Sequence, residues 1–199
     1  FLRNHMYLRS EDDYPSPRTF RWAIEWLERN RDHENFFLYI DTFSPHEPWL
    51  TPQEYLDLYD PDWKGAKLIY GNPYRRSQLT DEEHRHLRAR YASCCTLVDR
   101  WIGKLMDAVD RLGLREEVLV IVISDHGKII GEFDRYGMPA DCMSPVLAYV
   151  PCLIRHPKGK NAGKRFPGFL YSTDIVATML DLLDVEPKAD AEGETVWPA

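Results

Sequence analysis

The sequence predicts an α/β fold with a mainly parallel sheet flanked by helices. Residues 36–40 and 118–123 are short apolar runs without a break, which is typical of strands buried on both faces. Between and around them, residues 19–30, 80–112 and 172–183 repeat apolar side chains every three or four positions, which indicates amphipathic helices. Helices that alternate with strands are typical of a parallel sheet covered by helices.

The N-terminal part of the chain predicts three elements in order. Residues 1–17 are polar, aromatic and charged and contain two prolines, so we expect an extended segment. Residues 19–30 follow as the first helix and residues 36–40 as the first strand. Residues 42–49 contain two prolines in four positions, which excludes regular structure and predicts a stiff loop.

Two capping boxes, each a Thr followed three residues later by Glu, predict helix starts. Thr51 is expected to cap a short helix with Pro52 in its first position. Thr80 is expected to begin a helix of about 33 residues, which Gly113 ends. One apolar face runs along this helix through Leu87, Tyr91, Cys94, Val98, Ile102, Leu105, Val109 and Leu112.

The C-terminal part predicts a strand, a helix and a tail, while residues 60–79 and 128–144 are expected to be irregular. Residues 146–150 and 152–154 indicate a strand interrupted by a proline, as at a sheet edge. Ser172 or Thr173 is expected to cap the last helix, and the polar residues after position 183 are expected to form a tail.

Composition limits the class of protein. With 199 residues and 44% hydrophobic residues, the chain can form one ordinary domain with a core. A net charge of −7 disfavours non-specific binding to nucleic acid, and no apolar run approaches the roughly 18 residues that a membrane span needs. None of the four cysteines forms a Cys-x-x-Cys motif, so we expect reduced thiols, which favours a cytoplasmic location.

Three polar side chains are expected at one edge of the sheet. Asp125 and His126 directly follow the strand at residues 118–123, and the carboxyl ends of parallel strands are where ligands bind. An adjacent oxygen and nitrogen donor suit zinc, manganese or iron. His46, held between prolines beyond the first strand, is expected at the same edge as a third ligand, a proton donor or an anion contact. The alternative is a polar turn without chemistry.

Four sequence motifs, in order and at plausible spacing, resemble the middle and C-terminal part of the sulfatase family, within the alkaline phosphatase superfamily. The resemblance covers residues 20–187. The motifs are FFLYIDTFSPHEPW at 36–49, ISDHG at 123–127, VPCLIRHP at 150–157 and STDIVATMLDLL at 172–183. It implies an alkaline-phosphatase-like α/β domain over residues 1–187, incomplete at its N-terminus, followed by a C-terminal tail at 188–199.

The resemblance implies a hydrolase that acts on small anionic sulfuric or phosphoric esters with the help of a divalent cation, which is calcium, manganese or zinc. By motif, Asp125 and His126 match the late pair of metal ligands, and His46 matches the active-site histidine of the Pro-His-x-Pro loop. Many sulfatases have Asn where His126 stands, so this position favours a resemblance to phosphonate and phosphodiester hydrolases.

The sequence departs from the family pattern in two ways. It contains no Cys-x-Pro-x-Arg nucleophile motif and no early strand that ends in paired aspartates, so we expect a fragment that begins after the nucleophile. In addition, Met138 stands where the family has a lysine that contacts the substrate anion. Lys128 or Arg135 could replace that lysine, although a solvated side chain is the favoured interpretation of Lys128.

Two functions therefore remain open. The chain is either the C-terminal portion of a metal-dependent ester hydrolase, inactive when alone, or a non-catalytic α/β module for binding or structure. Strand edges left unpaired in an incomplete sheet favour association with another chain or with a missing N-terminal segment.

Overall fold

A computed structural model describes residues 7–71, 74–187 and 191–197. The chain divides into two compact units, Phe1–Lys158 and Gly159–Ala199. In the described part of the chain, no helix has the length and apolar character needed to cross a membrane.

The first helix, α1, spans Pro15–Asn30 and follows a short 3-10 turn at Glu11–Asp13. The extended segment predicted for residues 1–17 is therefore wrong from residue 11 onwards, and its residues 1–6 lie outside the described part. Prolines fit the first turn of a helix, because the backbone N–H groups there have no intrahelical partner in any case. The buried face of α1 includes Phe20, Ala23 and Leu27.

Residues 36–40 do not form the predicted strand. Their side chains still alternate: Phe36 and Leu38 pack against the apolar residues of one core cluster, whereas Phe37 and Tyr39 are 67% and 77% exposed. A strand needs a neighbouring strand for its backbone hydrogen bonds, and the described residues provide none beside this segment. The apolar pattern alone therefore did not make a strand.

The short helix α2 spans Gln53–Asp57 and begins one residue later than predicted, with Pro52 in the capping position. Thr51 is not its cap. The Thr51 hydroxyl instead makes a buried hydrogen bond of 3.0 Å with the Ser93 hydroxyl, which joins this segment to the long helix that follows.

The long helix α3 spans Asp81–Arg111 and confirms the prediction from the second capping box. Thr80 Oγ1 accepts from the Glu83 backbone N at 3.1 Å, and Glu83 Oε2 accepts from the Thr80 backbone N at 2.9 Å. Gly113 follows the helix with a φ of 76°, a left-handed conformation that glycine adopts without strain.

Three buried apolar clusters lie along α3 and form the core of the first unit. Loops, α1, α2 and the short strands that contain Ile130 and Tyr136 contribute their other members, so α3 is the element on which this unit packs. The clusters are centred on Leu87 and Cys94, on Leu97 and Trp101, and on Val109. Leu87, Cys94 and Val109 confirm the predicted apolar face at its two ends. In the middle, Leu97 and Trp101 are buried instead of the predicted Val98 and Ile102, which are only partly buried.

In the described residues of the first unit, four short strands and one short α-helix follow α3. In chain order they are β1 (Val120–Ile123), β2 (Ile129–Ile130), β3 (Tyr136–Gly137), α4 (Pro145–Ala148) and β4 (Cys152–Arg155).

The strands pair antiparallel, β1 with β4 and β2 with β3. A mainly parallel sheet is thus not formed among the described residues and stays a prediction. The predicted strand at 152–154 is confirmed. The one at 146–150 is wrong, because Pro145 starts the single helical turn α4 there.

The second unit contains the helix α5 at Ser172–Leu182, which the sequence also predicted. Its capping residue is Tyr171, one position before the predicted Ser172, and the Asp174 carboxylate accepts from the Tyr171 backbone N at 2.8 Å. The predicted tail is attached to α5: the Glu194 backbone N donates to Asp174 Oδ1 at 3.0 Å. Tail residues 188–190 and 198–199 lie outside the described part.

Candidate functional site

The loop that carries His46 is fixed by its last residue. The Trp49 side chain is fully buried, its indole N–H donates to the Pro45 carbonyl at 3.1 Å, and its backbone N donates to the Ile69 carbonyl at 2.8 Å. His46 lies between these anchored positions, so the core determines where the loop presents its imidazole.

The second loop carries Asp125 and His126 directly after β1. The Ser124 hydroxyl donates to the His126 carbonyl at 2.9 Å, and the Gly127 backbone N donates to the Leu147 carbonyl at 2.8 Å. A Cβ atom on Gly127 would overlap the backbone of residues 146 and 147, so only glycine permits this close approach to α4.

The structure brings the three predicted residues to one place. The rings of His46 and His126 lie edge to face with their centroids 6.2 Å apart. His126 Nε2 lies 3.6 Å from Asp125 Oδ2. The Asp125 side chain is 86% exposed, while His126 and His46 are 38% and 30% exposed, so the group is open to solvent on one side.

The proton position on both histidines follows from their partners. Nδ1 of His126 lies 2.9 Å from the Gly127 carbonyl oxygen, and Nδ1 of His46 lies 2.9 Å from the Glu47 carbonyl oxygen. A carbonyl oxygen only accepts, so Nδ1 is the protonated nitrogen in each ring. The neutral form of each histidine therefore has its lone pair on Nε2.

Asp125 and His126 fit two positions of a metal centre. Two ligands at ordinary zinc distances in a tetrahedral arrangement lie about 3.4 Å apart, close to the 3.6 Å between Oδ2 and Nε2. An unprotonated imidazole nitrogen and a carboxylate oxygen are both electron-pair donors, so a cation bound between them would be favourable. Within the described residues, no cluster of three or more His, Cys, Asp or Glu side chains suits a metal ion.

Lys128 is not a solvated side chain, which corrects that sequence interpretation. Its side chain is 7% exposed, and its ammonium forms an ion pair with the Glu47 carboxylate, itself 5% exposed. Glu47 Oε2 also lies 3.2 Å from His46 Nδ1. A buried carboxylate thus connects the lysine after the Asp-His-Gly motif with the histidine of the other loop.

Arg135 does not offer a free cation near Met138 either. Its Nη1 donates to Asp141 Oδ1 at 2.6 Å, and this hydrogen bond together with the opposite charge lowers the pKa of Asp141 and raises that of Arg135. The Met138 side chain is 41% exposed. Both cations considered as replacements for the family lysine are therefore paired with carboxylates.

Sequence reasoning missed Glu47. Its only local signal is a carboxylate between His46 and Pro48 in an otherwise uncharged loop. Its ion-pair partner, Lys128, is 81 positions away along the chain, so the contact exists only once the two loops meet.

Comparison with known proteins identifies the family. The family model for Sulfatase matches residues 4–185. The chain is 26% identical to arylsulfatase K of Rattus norvegicus, over 88% of this chain and 35% of the relative. It is 30% identical to an ulvan-active sulfatase of Formosa agariphila, over 86% of this chain and 33% of the relative. The chain therefore spans about a third of the length of these relatives.

A solved structure shows the same fold. The phosphonate monoester hydrolase of Agrobacterium radiobacter superposes with a TM-score of 0.75 at 22% identity, over 94% of this chain and 42% of that protein. The likeness confirms the predicted α/β class. It concerns the fold alone, since the identity is low.

Proposed function

This chain belongs to the sulfatase family, and we propose that it carries the late part of a hydrolase site for small anionic sulfuric or phosphoric esters. Asp125 and His126 hold a divalent cation in this proposal, and His46 acts on the leaving group. The observation that carries it is the 3.6 Å distance between His126 Nε2 and Asp125 Oδ2, with the His46 ring 6.2 Å from the His126 ring.

The residues of the chain have separate tasks in this reaction. A divalent cation, when bound, stabilises negative charge on the ester oxygens. The Asp125 carboxylate and the His126 lone pair orient it, and the Gly127 carbonyl fixes the His126 ring through Nδ1–H. His46, whose Nδ1–H is held by Glu47, takes up a proton from solvent on the Nε2 lone pair. In the resulting imidazolium form, Nε2–H donates this proton to the leaving-group oxygen and the ring returns to its neutral form.

The cation is calcium, manganese or zinc, and the substrate is a sulfuric or a phosphoric ester. Calcium, manganese and zinc all accept a carboxylate oxygen. The two sulfatase relatives favour a sulfuric ester, while the phosphonate monoester hydrolase is similar in fold only. The nucleophile is expected outside this chain, since the sequence contains no Cys-x-Pro-x-Arg motif.

Hydrolysis assays test this proposal. With manganese present, the 199-residue chain should release no product above buffer from an aryl sulfate, an aryl phosphodiester or an aryl phosphonate monoester. A longer protein that adds the nucleophile should turn over at least one of them, and His46→Ala should lower its kcat by about 10²- to 10⁴-fold. Substantial turnover by the chain alone, abolished by His126→Ala, would contradict the incomplete site.

A non-catalytic module is the second candidate, and one observation favours it. Met138 replaces the expected lysine, and neither Lys128 nor Arg135 is free to take its place, because both are paired with carboxylates. In that case even a protein with the nucleophile and all metal ligands would bind neither sulfate nor vanadate at the site. Competitive inhibition by vanadate in the longer protein would favour the hydrolase.

A further inference from the structure

A buried ion pair connects the two loops of the candidate site. The Lys128 ammonium contacts Glu47 Oε2, and both side chains are less than one-tenth exposed. Buried charges are unfavourable unless each is paired and hydrogen-bonded, so a pair of this kind strongly determines the relative placement of the segments that carry it. Here it joins the residue after Gly127 to the residue after His46.

The same carboxylate oxygen also faces His46. The Nδ1–H of His46 lies between two acceptors of one residue, the Glu47 carbonyl at 2.9 Å and Glu47 Oε2 at 3.2 Å. Since both acceptors lie on one side of the ring, Nε2 is directed away from them.

We propose that Glu47, held in place by Lys128, is a positioning residue for His46. It keeps the proton of the neutral ring on Nδ1 and so keeps the Nε2 lone pair available. The role of His46 in hydrolysis rests on the proposed function, but the protonation of its ring does not, so the two can fail independently.

The alternative is that the ion pair only holds the two loops together. In that case the Glu47 backbone carbonyl alone determines which nitrogen of the His46 ring carries the proton. Stability measurements do not separate these possibilities, because both make the pair structurally important. The distribution of the proton between Nδ1 and Nε2 does separate them, since only the positioning role requires the Glu47 side chain as an acceptor.

Two double variants differ only in whether residue 47 has a side-chain oxygen that can accept from His46 Nδ1–H. Glu47→Leu with Lys128→Met removes the ion pair and the carboxylate oxygen, whereas Glu47→Gln with Lys128→Met keeps an oxygen for Nδ1–H. Neither leaves a buried charge unpaired, and apolar replacements of a buried ion pair are often tolerated. In the 199-residue chain at about pH 8.5, where histidines are neutral, imidazole ¹⁵N shifts report the protonated nitrogen.

In the wild-type chain and in the Gln variant, we expect His46 to be protonated almost entirely on Nδ1. In the Leu variant, its two nitrogen signals should move toward each other as both forms become populated. His126, whose Nδ1 faces the Gly127 carbonyl, serves as an internal reference and should not change. An unchanged His46 in the Leu variant would overturn the proposal.

Discussion

His86 is fully buried, and its hydrogen bonds determine its protonation state. Its Nδ1 donates to Asp60 Oδ2 at 2.7 Å, and its Nε2 accepts from Arg90 Nε at 3.1 Å. A ring nitrogen that accepts carries no proton, so the ring is neutral. Burial is the main cause that lowers the pKa of His86, and the Arg90 charge lowers it further against the opposing effect of Asp60.

This lowered pKa predicts acid sensitivity. As the pH falls below about 6.5, the unfolded chain binds a proton at His86 before the folded chain does, so the free energy of unfolding decreases. Above that pH the residue contributes no pH dependence. Urea unfolding at about pH 7.5 and pH 5.5 should show a smaller decrease for His86→Gln than for the wild-type chain. The exposed His33→Gln variant should keep the full decrease; equal decreases in all three would contradict the assignment.

At the residue scale, the candidate site residues could be predicted from the sequence, whereas the ion pair between the two loops could not. Asp125 and His126 follow an apolar run directly, and prolines mark the loop of His46, so these residues could be found from local pattern. Glu47 and Lys128 could not be recognised as a pair, because their contact joins loops far apart in the chain.

At the element scale, the Thr80 capping box is a direct test of why α3 begins where it does. Thr80→Ala leaves the Glu83 backbone N without its side-chain partner and should lower the free energy of unfolding by about 1 kcal/mol. Thr80→Ser, which keeps the hydroxyl, should stay close to the wild-type value in the same urea titration. A loss as large for Ser as for Ala would show that the cap is not responsible.

The helices were easier to predict than the strands for a physical reason. The capping box and the apolar face of α3 depend on residues that lie within a few turns of each other. Both can therefore be recognised from a short stretch of sequence. A strand depends on a partner elsewhere. Residues 36–40 have the apolar pattern of a strand, but no strand in the described part of the chain pairs with them. The strand β1 pairs antiparallel with β4, and its sequence does not specify this direction.

At the scale of the whole molecule, the first unit has large apolar side chains that are exposed to solvent. Tyr39 and Leu153 are 77% and 64% exposed, on the unpaired segment and on β4. Unpaired edges and exposed apolar groups favour association.

Sedimentation velocity should therefore show concentration-dependent self-association of the chain. Tyr39→Lys combined with Leu153→Lys should reduce it, whereas Leu58→Lys, at a site that is 66% exposed on another segment, should not. A monomer over the whole concentration range would contradict this expectation.

The central claim is that Asp125 and His126 hold a divalent cation next to His46. A manganese titration of the chain, followed through imidazole NMR signals, tests it most directly, because paramagnetic broadening detects weak binding at a defined place. We expect the His126 and His46 signals to broaden together, the His46 broadening to disappear in Asp125→Ala, and Asp141→Ala to behave like wild type. His46 and His126 signals that stay sharp, or broadening that persists unchanged in Asp125→Ala, would contradict the claim.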